Sequence, residues 1–257
     1  PSQIAGFLVA LRIKGETVEE IAGLAETMQE KALSVPIDGS KLIDTCGTGG
    51  DNSGSLNIST AAALVAAGAG ASVAKHGNRS MTSSCGSADV LEELGVSVDL
   101  GPEGVAKSIN KSGMGFVFAQ TFHPAMRYVA PVRRELGVRT VFNILGPLTN
   151  PAGAKAQVLG VADLGLLEKM AQALNLLGSH HALVVHGDDG LDEFSLSGPT
   201  TVAELRNGNV STYSIDAKDY GLARAPKSAL VGGDAPHNAA LLLDVLQGVP
   251  GPHRDAV

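Results

Sequence analysis

Apolar residues at Ile4, Phe7, Leu8 and Leu11 recur with helical spacing, so residues 2–13 are expected to form an amphipathic helix that Gly15 ends. Thr17 and Glu20 spell a capping box, with Thr17 as N-cap and Glu20 at N3. Ile21, Leu24 and Met28 then mark one face of a second helix. Pro36, Asp38 and Gly39 interrupt this pattern, and the chain changes character beyond them. A small helical unit, residues 1–36, is expected to give way there to an α/β body, residues 37–257.

From residue 41 short apolar runs alternate with helical periods. Strands are expected at 42–44, 71–74, 116–119, 157–162 and 182–186. Between and beyond them, helices are expected from Ser59 or Thr60 to Ala67, from Ser87 to Leu94, and over 103–112, 124–136, 164–177 and 235–247. Asn207 and Gly208 turn a hairpin between residues 201–205 and 209–215. Strands alternating with helices of this length define an α/β fold with a mostly parallel central sheet flanked by helices. No internal repeat or low-complexity segment interrupts it.

Composition narrows the function. Hydrophobic residues make up 44% of the 257, enough for a core and too many for a disordered chain. A net charge of −7 argues against a nucleic-acid binder that neutralises phosphates. Two cysteines, Cys46 and Cys85, cannot form a disulfide scaffold and fit a reduced, cytoplasmic setting, most simply as packed thiols. The most apolar run, 61–74, is too short to span a membrane, and the N-terminus lacks the basic start of a secretory signal. Glycine is in excess, at 32 residues, and eight of these fall in the forty positions 47–86.

That concentration marks the first chemical signal. A strand runs into Gly47, Gly49, Gly50, Asp51, Gly54 and Ser55, then Asn57, Ser59 and Thr60 at a helix start. Backbone without Cβ atoms can curl several N–H groups toward one anion, and a helix N-terminus adds donors and partial positive charge. The spacing is neither a Walker A loop nor Gly-x-Gly-x-x-Gly. An ordinary tight turn is the competing explanation; the clustered hydroxyls weigh against it. The second signal, Lys75 to Ser84, also follows a strand, where ligands of open α/β sheets collect. Its Lys75, Arg79 and Asn78 suit a polyphosphate or sugar phosphate, whereas His76 alone reads as structural. The third is acidic. Asp188 and Asp189 read as a solvated turn, while Asp192 and Glu193 are oxygen ligands of the kind Mg2+ takes beside a phosphate. A fourth stretch gathers Arg133, Arg134 and Arg139, one of which could meet a carboxylate substrate; alone they read as surface residues.

Together these residues resemble the anthranilate phosphoribosyltransferase family. The stretches 47–51, 57–60, 75–80, 86–95, 139–151 and 192–193 look like that family's motifs in its order, and the likeness runs from Gln3 to the end. The resemblance implies a helical domain and an α/β domain with the active site between them, usually in a homodimer, and residues 123–148 joining the N-terminal helices in space. It implies phosphoribosyl pyrophosphate (PRPP), anthranilate and Mg2+, with no nucleic acid and no membrane. By motif position the PRPP shell is Gly47, Gly50, Asp51, Ser55, Asn57, Ile58, Ser59, Thr60, Lys75, His76, Gly77, Asn78, Arg79, Ser80, Met81, Thr82, Ser83 and Ser87. Ser59, Asp192 and Glu193 fall at metal positions; Gly47, Asn78 and Arg133 fall at anthranilate positions. Lys75, Asn78 and Arg133 are the expected catalytic set. Family chains usually extend beyond both ends of this one, so the sequence reads as a trimmed piece, with its dimerisation in question. The expected reaction is the second step of tryptophan biosynthesis from chorismate: transfer of phosphoribosyl from PRPP to the amine of anthranilate. The rivals are a pyrimidine nucleoside phosphorylase, which the acidic pair and residues 143–151 disfavour, and a nucleic-acid-binding relative of the same fold, which the charge disfavours.

Overall fold

The computed structural model describes residues 1–80 and 84–257. The chain opens with helices α1 (Ser2–Lys14) and α2 (Val18–Glu30). It continues through β1 (Leu42–Gly47), α3 (Ile58–Gly68), β2 (Ser72–Gly77), α4 (Ser87–Glu93), α5 (Pro102–Ser112) and β3 (Met114–Phe118). Three short helices come next, α6 (Ala119–Phe122), α7 (Ala130–Leu136) and α8 (Phe142–Leu145). The remaining elements are β4 (Ala156–Gly160), α9 (Leu167–Leu176), β5 (His181–Gly187), β6 (Pro199–Arg206), β7 (Asn209–Asp216), α10 (Ala235–Leu246) and α11 (Pro252–Asp255).

Local chemistry sets the element ends. Gly15, at φ +82°, stops α1. The capping box of α2 forms as expected: Glu20 N–H donates to Thr17 Oγ1 at 3.3 Å, and Thr17 N–H to Glu20 Oε2 at 3.0 Å. Asn207 (φ +49°) and Gly208 (φ +85°) turn β6 into β7. Four expectations need correction. Helix α3 starts at Ile58, with Asn57 rather than Ser59 or Thr60 in the cap position. Helix α4 has Gly86 at its cap and Ser87 as its first residue; Asp89 accepts the Gly86 N–H at 2.8 Å. The expected helix over 124–136 is split into a 3-10 turn, Pro124–Tyr128, and α7, because Pro131 has no N–H for the Arg127 carbonyl. The helix over 164–177 likewise opens as a 3-10 turn, Leu164–Leu166, before α9.

The strands form one sheet in the order β3-β2-β1-β4-β5-β6-β7, with the first five parallel and the last two antiparallel. The architecture is therefore a small N-terminal helical domain beside an α/β domain with a mostly parallel sheet flanked by helices. The helical part shares a core with residues far along the chain: Leu8, Leu11, Ile21 and Ala25 pack with Val141, Ile144, Leu145 and Leu148. Burying side chains such as Leu8 and Ile21 contributes about 2 kcal/mol each. Gln29 Nε2 donates to the Leu148 carbonyl at 2.7 Å, and Leu33 N–H to that of Phe122 at 2.9 Å. Strand order reverses at β1, which has β2 on one side and β4 on the other. The C-terminal end of β1 is thus where a crevice opens in the sheet's rim.

Candidate active site

The loop leaving β1 curls through left-handed conformations at Gly49 (φ +66°), Gly50 (φ +82°), Asn52 (φ +54°) and Gly54 (φ +62°). Its far end is pinned by backbone bonds from Leu56 N–H to the Leu230 carbonyl and from Gly232 N–H to that of Gly54. Two glycines here lie tight against side chains from elsewhere, and Gly50 is also held by its left-handed φ. A side chain at Gly47 would strike the Asp192 carboxylate, and one at Gly50 the Arg139 guanidinium.

Asp192 and Glu193, on the loop after β5, come to this rim from more than 130 positions away. Asp192 Oδ2 accepts the Gly49 N–H at 2.8 Å, and Glu193 Oε1 accepts the Ser59 N–H, in the first turn of α3, at 3.2 Å. Loss of water raises the carboxyl of Asp192 to about 6, with the Asp51 charge adding to the shift. Glu193 is pushed up to about 8 by the same desolvation and by Asp192, although Lys75 pulls the other way. Carboxylates held together against their own repulsion form a cation-demanding arrangement. Asp51 Oδ2 and Thr60 Oγ1 are buried here with no hydrogen-bond partner among the described residues. Among the described residues no group of three or more His, Cys, Asp or Glu makes a self-sufficient cation cage. Mg2+ does not need one: two carboxylates and the Ser59 hydroxyl suit a hard ion that completes its shell with water and phosphate oxygens. The acidic loop is braced from within. Asp188 is exposed, as expected of a turn, and Asp189 is half-buried, its carboxylate also accepting hydroxyls of Ser195 at 2.9 Å and Ser197 at 2.6 Å.

Lys75 is 2% exposed, the largest of the fully buried side chains. Its ammonium donates to the Thr45 carbonyl at 2.6 Å and to Ser59 Oγ at 3.4 Å, and its third N–H has no hydrogen-bond partner among the described residues. Lys75, Ser59, Asp192, Glu193 and the glycine loop are therefore brought together.

The loop after β2 is differently engaged. Ser87 Oγ bonds the backbone of Asn78 at 3.2 Å, and Asn78 Oδ1 accepts the Arg79 N–H at 2.8 Å and Gln120 Nε2 at 3.3 Å. The Arg79 guanidinium lies against Asp89 at 3.0 Å and Glu92 at 2.8 Å and over the Phe118 ring. Ser80 N–H donates to Asp89 at 3.0 Å. A side chain at Gly77 would meet Ser87 Oγ and the Phe116 ring. Met81, Thr82 and Ser83 lie outside the described residues. His76 is buried, with Nδ1 3.0 Å from the Gly146 carbonyl and its ring tilted against His123 at 5.2 Å. Desolvation, then His123, lowers its pKa to about 3, so it is neutral. Asn57, at the end of the first loop, is also engaged: its side chain donates to the Cys85 carbonyl at 3.1 Å and accepts from Asn238 at 2.9 Å. Ser55 Oγ accepts from Ser53 at 3.1 Å.

Of the three arginines, Arg133 lies over the Phe142 ring at 5.6 Å, and its partial burial lowers its pKa. Arg134 is exposed. Arg139 is the one that touches the glycine loop, through Nη2 to the Gly49 carbonyl at 3.3 Å, while its own carbonyl accepts from Arg12 of α1. Sequence reasoning grouped Arg139 with its neighbours and missed this contact; its lone position after Gly137, beyond α7, was the available signal. It also passed over Asp44 and Asn150, an ionisable group inside an apolar strand and an amide beside a proline.

A helical unit set against an open sheet, with a glycine loop, a buried lysine and an acidic pair at the strand-order reversal, defines a phosphate-handling transferase. Residues 39–257 match the family described as glycosyl transferase family, a/b domain, and residues 1–32 match its helical bundle domain. The anthranilate phosphoribosyltransferase of Roseiflexus castenholzii is 60% identical over 257 residues, covering 99% of this chain and 75% of the relative. The crystal structure of that enzyme from Thermus thermophilus superposes with a TM-score of 0.93 at 52% identity, over 98% of this chain and 75% of the other. The Saccharomyces cerevisiae enzyme in complex with PRPP and Mg gives a TM-score of 0.89 at 32% identity, over 99% and 71%. The chain belongs to the anthranilate phosphoribosyltransferase family.

Proposed function

We propose that this chain transfers the 5-phosphoribosyl group of PRPP to the amine of anthranilate, giving N-(5-phosphoribosyl)anthranilate and pyrophosphate, with Mg2+ as cofactor. The observation that carries this reading is the convergence of Asp192 and Glu193 on the Gly49 and Ser59 N–H groups beside the buried Lys75 ammonium. In this reading the glycine loop and Lys75 hold the pyrophosphate and stabilise it as it leaves. Ser59, Asp192 and Glu193 hold the metal, which when bound neutralises phosphate charge. The ribose carbon passes through an oxocarbenium-like state. An aromatic amine is nucleophilic while neutral, so positioning replaces a strong base. Asn78 and Arg133 orient the amine and carboxylate of anthranilate, and residues 76–80 complete the PRPP site. The protein is expected to pair as a homodimer through α1, where Phe7 is 56% and Ile13 80% exposed. The reading is of a cytoplasmic enzyme; among the described residues no helix is long and apolar enough to cross a membrane.

Anthranilate fluorescence tests it. The signal should fall only when PRPP and Mg2+ are both present, and EDTA should stop the fall. Persistent fluorescence with folded protein rejects the function. The substrate assignment has its own test. Arg133→Ala should raise the KM for anthranilate roughly 30-fold, the loss of about 2 kcal/mol from one charge-assisted bond, and that for PRPP by under about threefold. Equal rises reject the role of Arg133.

A further inference from the structure

The two ladders beside β1 end differently. β1 pairs with β4 from Ile43↔Ala156 to Gly47↔Gly160, and β2 pairs with β3 as far as Gly77↔Phe118. β1 pairs with β2 only at Leu42↔Ser72 and Ile43↔Val73. Two more pairs in this register, Asp44↔Ala74 and Thr45↔Lys75, would put Thr45 N–H on the Ala74 carbonyl and His76 N–H on the Thr45 carbonyl. Neither bond is made. All four backbone groups find side chains instead. Thr45 N–H donates to Asp44 Oδ1 at 2.8 Å, and His76 N–H donates to the same oxygen at 3.1 Å. The Ala74 carbonyl accepts from Asn150 Nδ2 at 2.7 Å, and the Thr45 carbonyl accepts from Lys75 Nζ at 2.6 Å. Asn150 Nδ2 also donates to Asp44 Oδ2 at 2.8 Å, which joins the set into one network.

This network is buried: Asp44 is 0% exposed, Lys75 2% and Asn150 6%. A buried carboxylate is costly, and desolvation raises the Asp44 carboxyl above its ordinary value; the Lys75 charge and the bonds from Asn150, His76 and Thr45 offset part of that cost. Resting on the PRPP reading above, we propose that Asp44 and Asn150 are positioning residues: they hold the ends of β1 and β2 apart and thereby fix the Lys75 ammonium where PRPP phosphate meets it. With the ladder zipped by these two pairs, His76 N–H would compete with the Lys75 ammonium for the Thr45 carbonyl, and the strand ends would close on the space Lys75 occupies. Neither residue touches substrate in this scheme; both act through Lys75 and the strand ends.

Steady-state kinetics on Asp44→Asn, beside parent enzyme and with thermal melting of each protein, test the proposal. In the variant the amide nitrogen faces the Asn150 amide donor, and Lys75 loses one of its two buried carboxylate neighbours, Glu193 being the other. The expected result is a folded protein whose KM for PRPP rises at least tenfold, with KM for anthranilate changed by less than twofold. A lowered melting temperature with both KM values unchanged, or equal rises in both, overturns the assignment. Should Asp44→Asn fail to fold, Asn150→Ser carries the same test. It removes the donor to Ala74 and to Asp44, and must show the same selective rise in PRPP KM or overturn the proposal. Turnover by the parent enzyme is scored first, so failure of the PRPP reading is seen separately from failure of this one.

Discussion

The loops after β1 and β2 both leave the same edge of the sheet, and both are dense in glycine and hydroxyl residues, yet they are organised in opposite ways. After β1, polar groups are left in tension: the two carboxylates that reach in from the loop after β5 are displaced upward in pKa, and among the described residues Asp51 Oδ2 and Thr60 Oγ1 are buried without partners and Lys75, reaching in from β2, has an N–H to spare. After β2, most polar groups are consumed, the buried His76 Nε2 being the exception: Ser87 and Asn78 bond each other, Arg79 lies on Asp89 and Glu92, and Asp89 takes the Ser80 and Gly86 N–H groups. The first is built as a receptor for charge; the second is built as a wall that keeps its shape. Similar composition therefore does not mean similar work, because what distinguishes them is which partners the fold brings from elsewhere.

The largest expected effect falls on the first loop. Glu193→Gln should lower kcat/KM by roughly 10³-fold, the loss of about 4 kcal/mol of charge stabilisation, read by the fluorescence assay across a Mg2+ titration. The same variant should stabilise the free protein. The unfolded chain gives up this proton near the ordinary 4.5, whereas the folded one keeps it to about 8. Free-protein stability therefore falls as pH rises between those values. Glutamine has no proton to lose, so the melting temperature of the variant should drop less than the parent's between pH 5 and pH 8. Activity near the parent's, or an identical drop, would show that the tension is absent.

The wall should show the opposite pH sign. His76 protonates near 6.5 when unfolded and near 3 when folded. Stability conferred by its neutral form is thus lost as pH falls below about 6.5, at about 1.4 kcal/mol per pH unit for one proton. His123, also held below its ordinary value by burial, works in the same direction. Thermal melting of His76→Gln between pH 7 and pH 4 should show a shallower acid loss than the parent. An equal loss would locate the acid sensitivity in other groups.

Much of this was legible in the chain itself. Capping boxes, turn residues and apolar periods are local, so the helical start, the hairpin at Asn207 and the alternation of strands and helices could be read directly. The acidic pair was recognisable as oxygen donors, but its meeting with Gly49 and Ser59 depends on sheet order, which no local spacing encodes. The same limit hid Arg139 on Gly49, Asn57 tied to Asn238, and Asp189 bracing its own loop. Asp44 was hidden for another reason: a carboxylate in a strand looks like a surface residue until the strand is seen to be central. The split near Val129 was in principle readable from Pro131, whose missing N–H outweighs the apolar period around it.

The smallest expected effect is the sharpest discriminator between the loops. Arg79 faces two acids on the exposed side of α4, with 42% of its side chain in solvent. Exposed pairs of this kind contribute little and are screened by salt. Arg79→Ala should therefore lower the melting temperature by about 2 °C or less at low salt, and less still in 0.5 M NaCl, because its pairs are at the surface. If its guanidinium stays with Asp89 and Glu92 during catalysis, residue 79 serves PRPP mainly through backbone and loop shape. The KM for PRPP should then rise by no more than about fivefold, far below the loss expected at Glu193. A loss in kcat/KM matching that of Glu193→Gln would mean that Arg79 leaves its acids for phosphate. The loop after β2 would then be a second receptor held in reserve by α4, and the distinction between receptor and wall would describe only the unliganded chain.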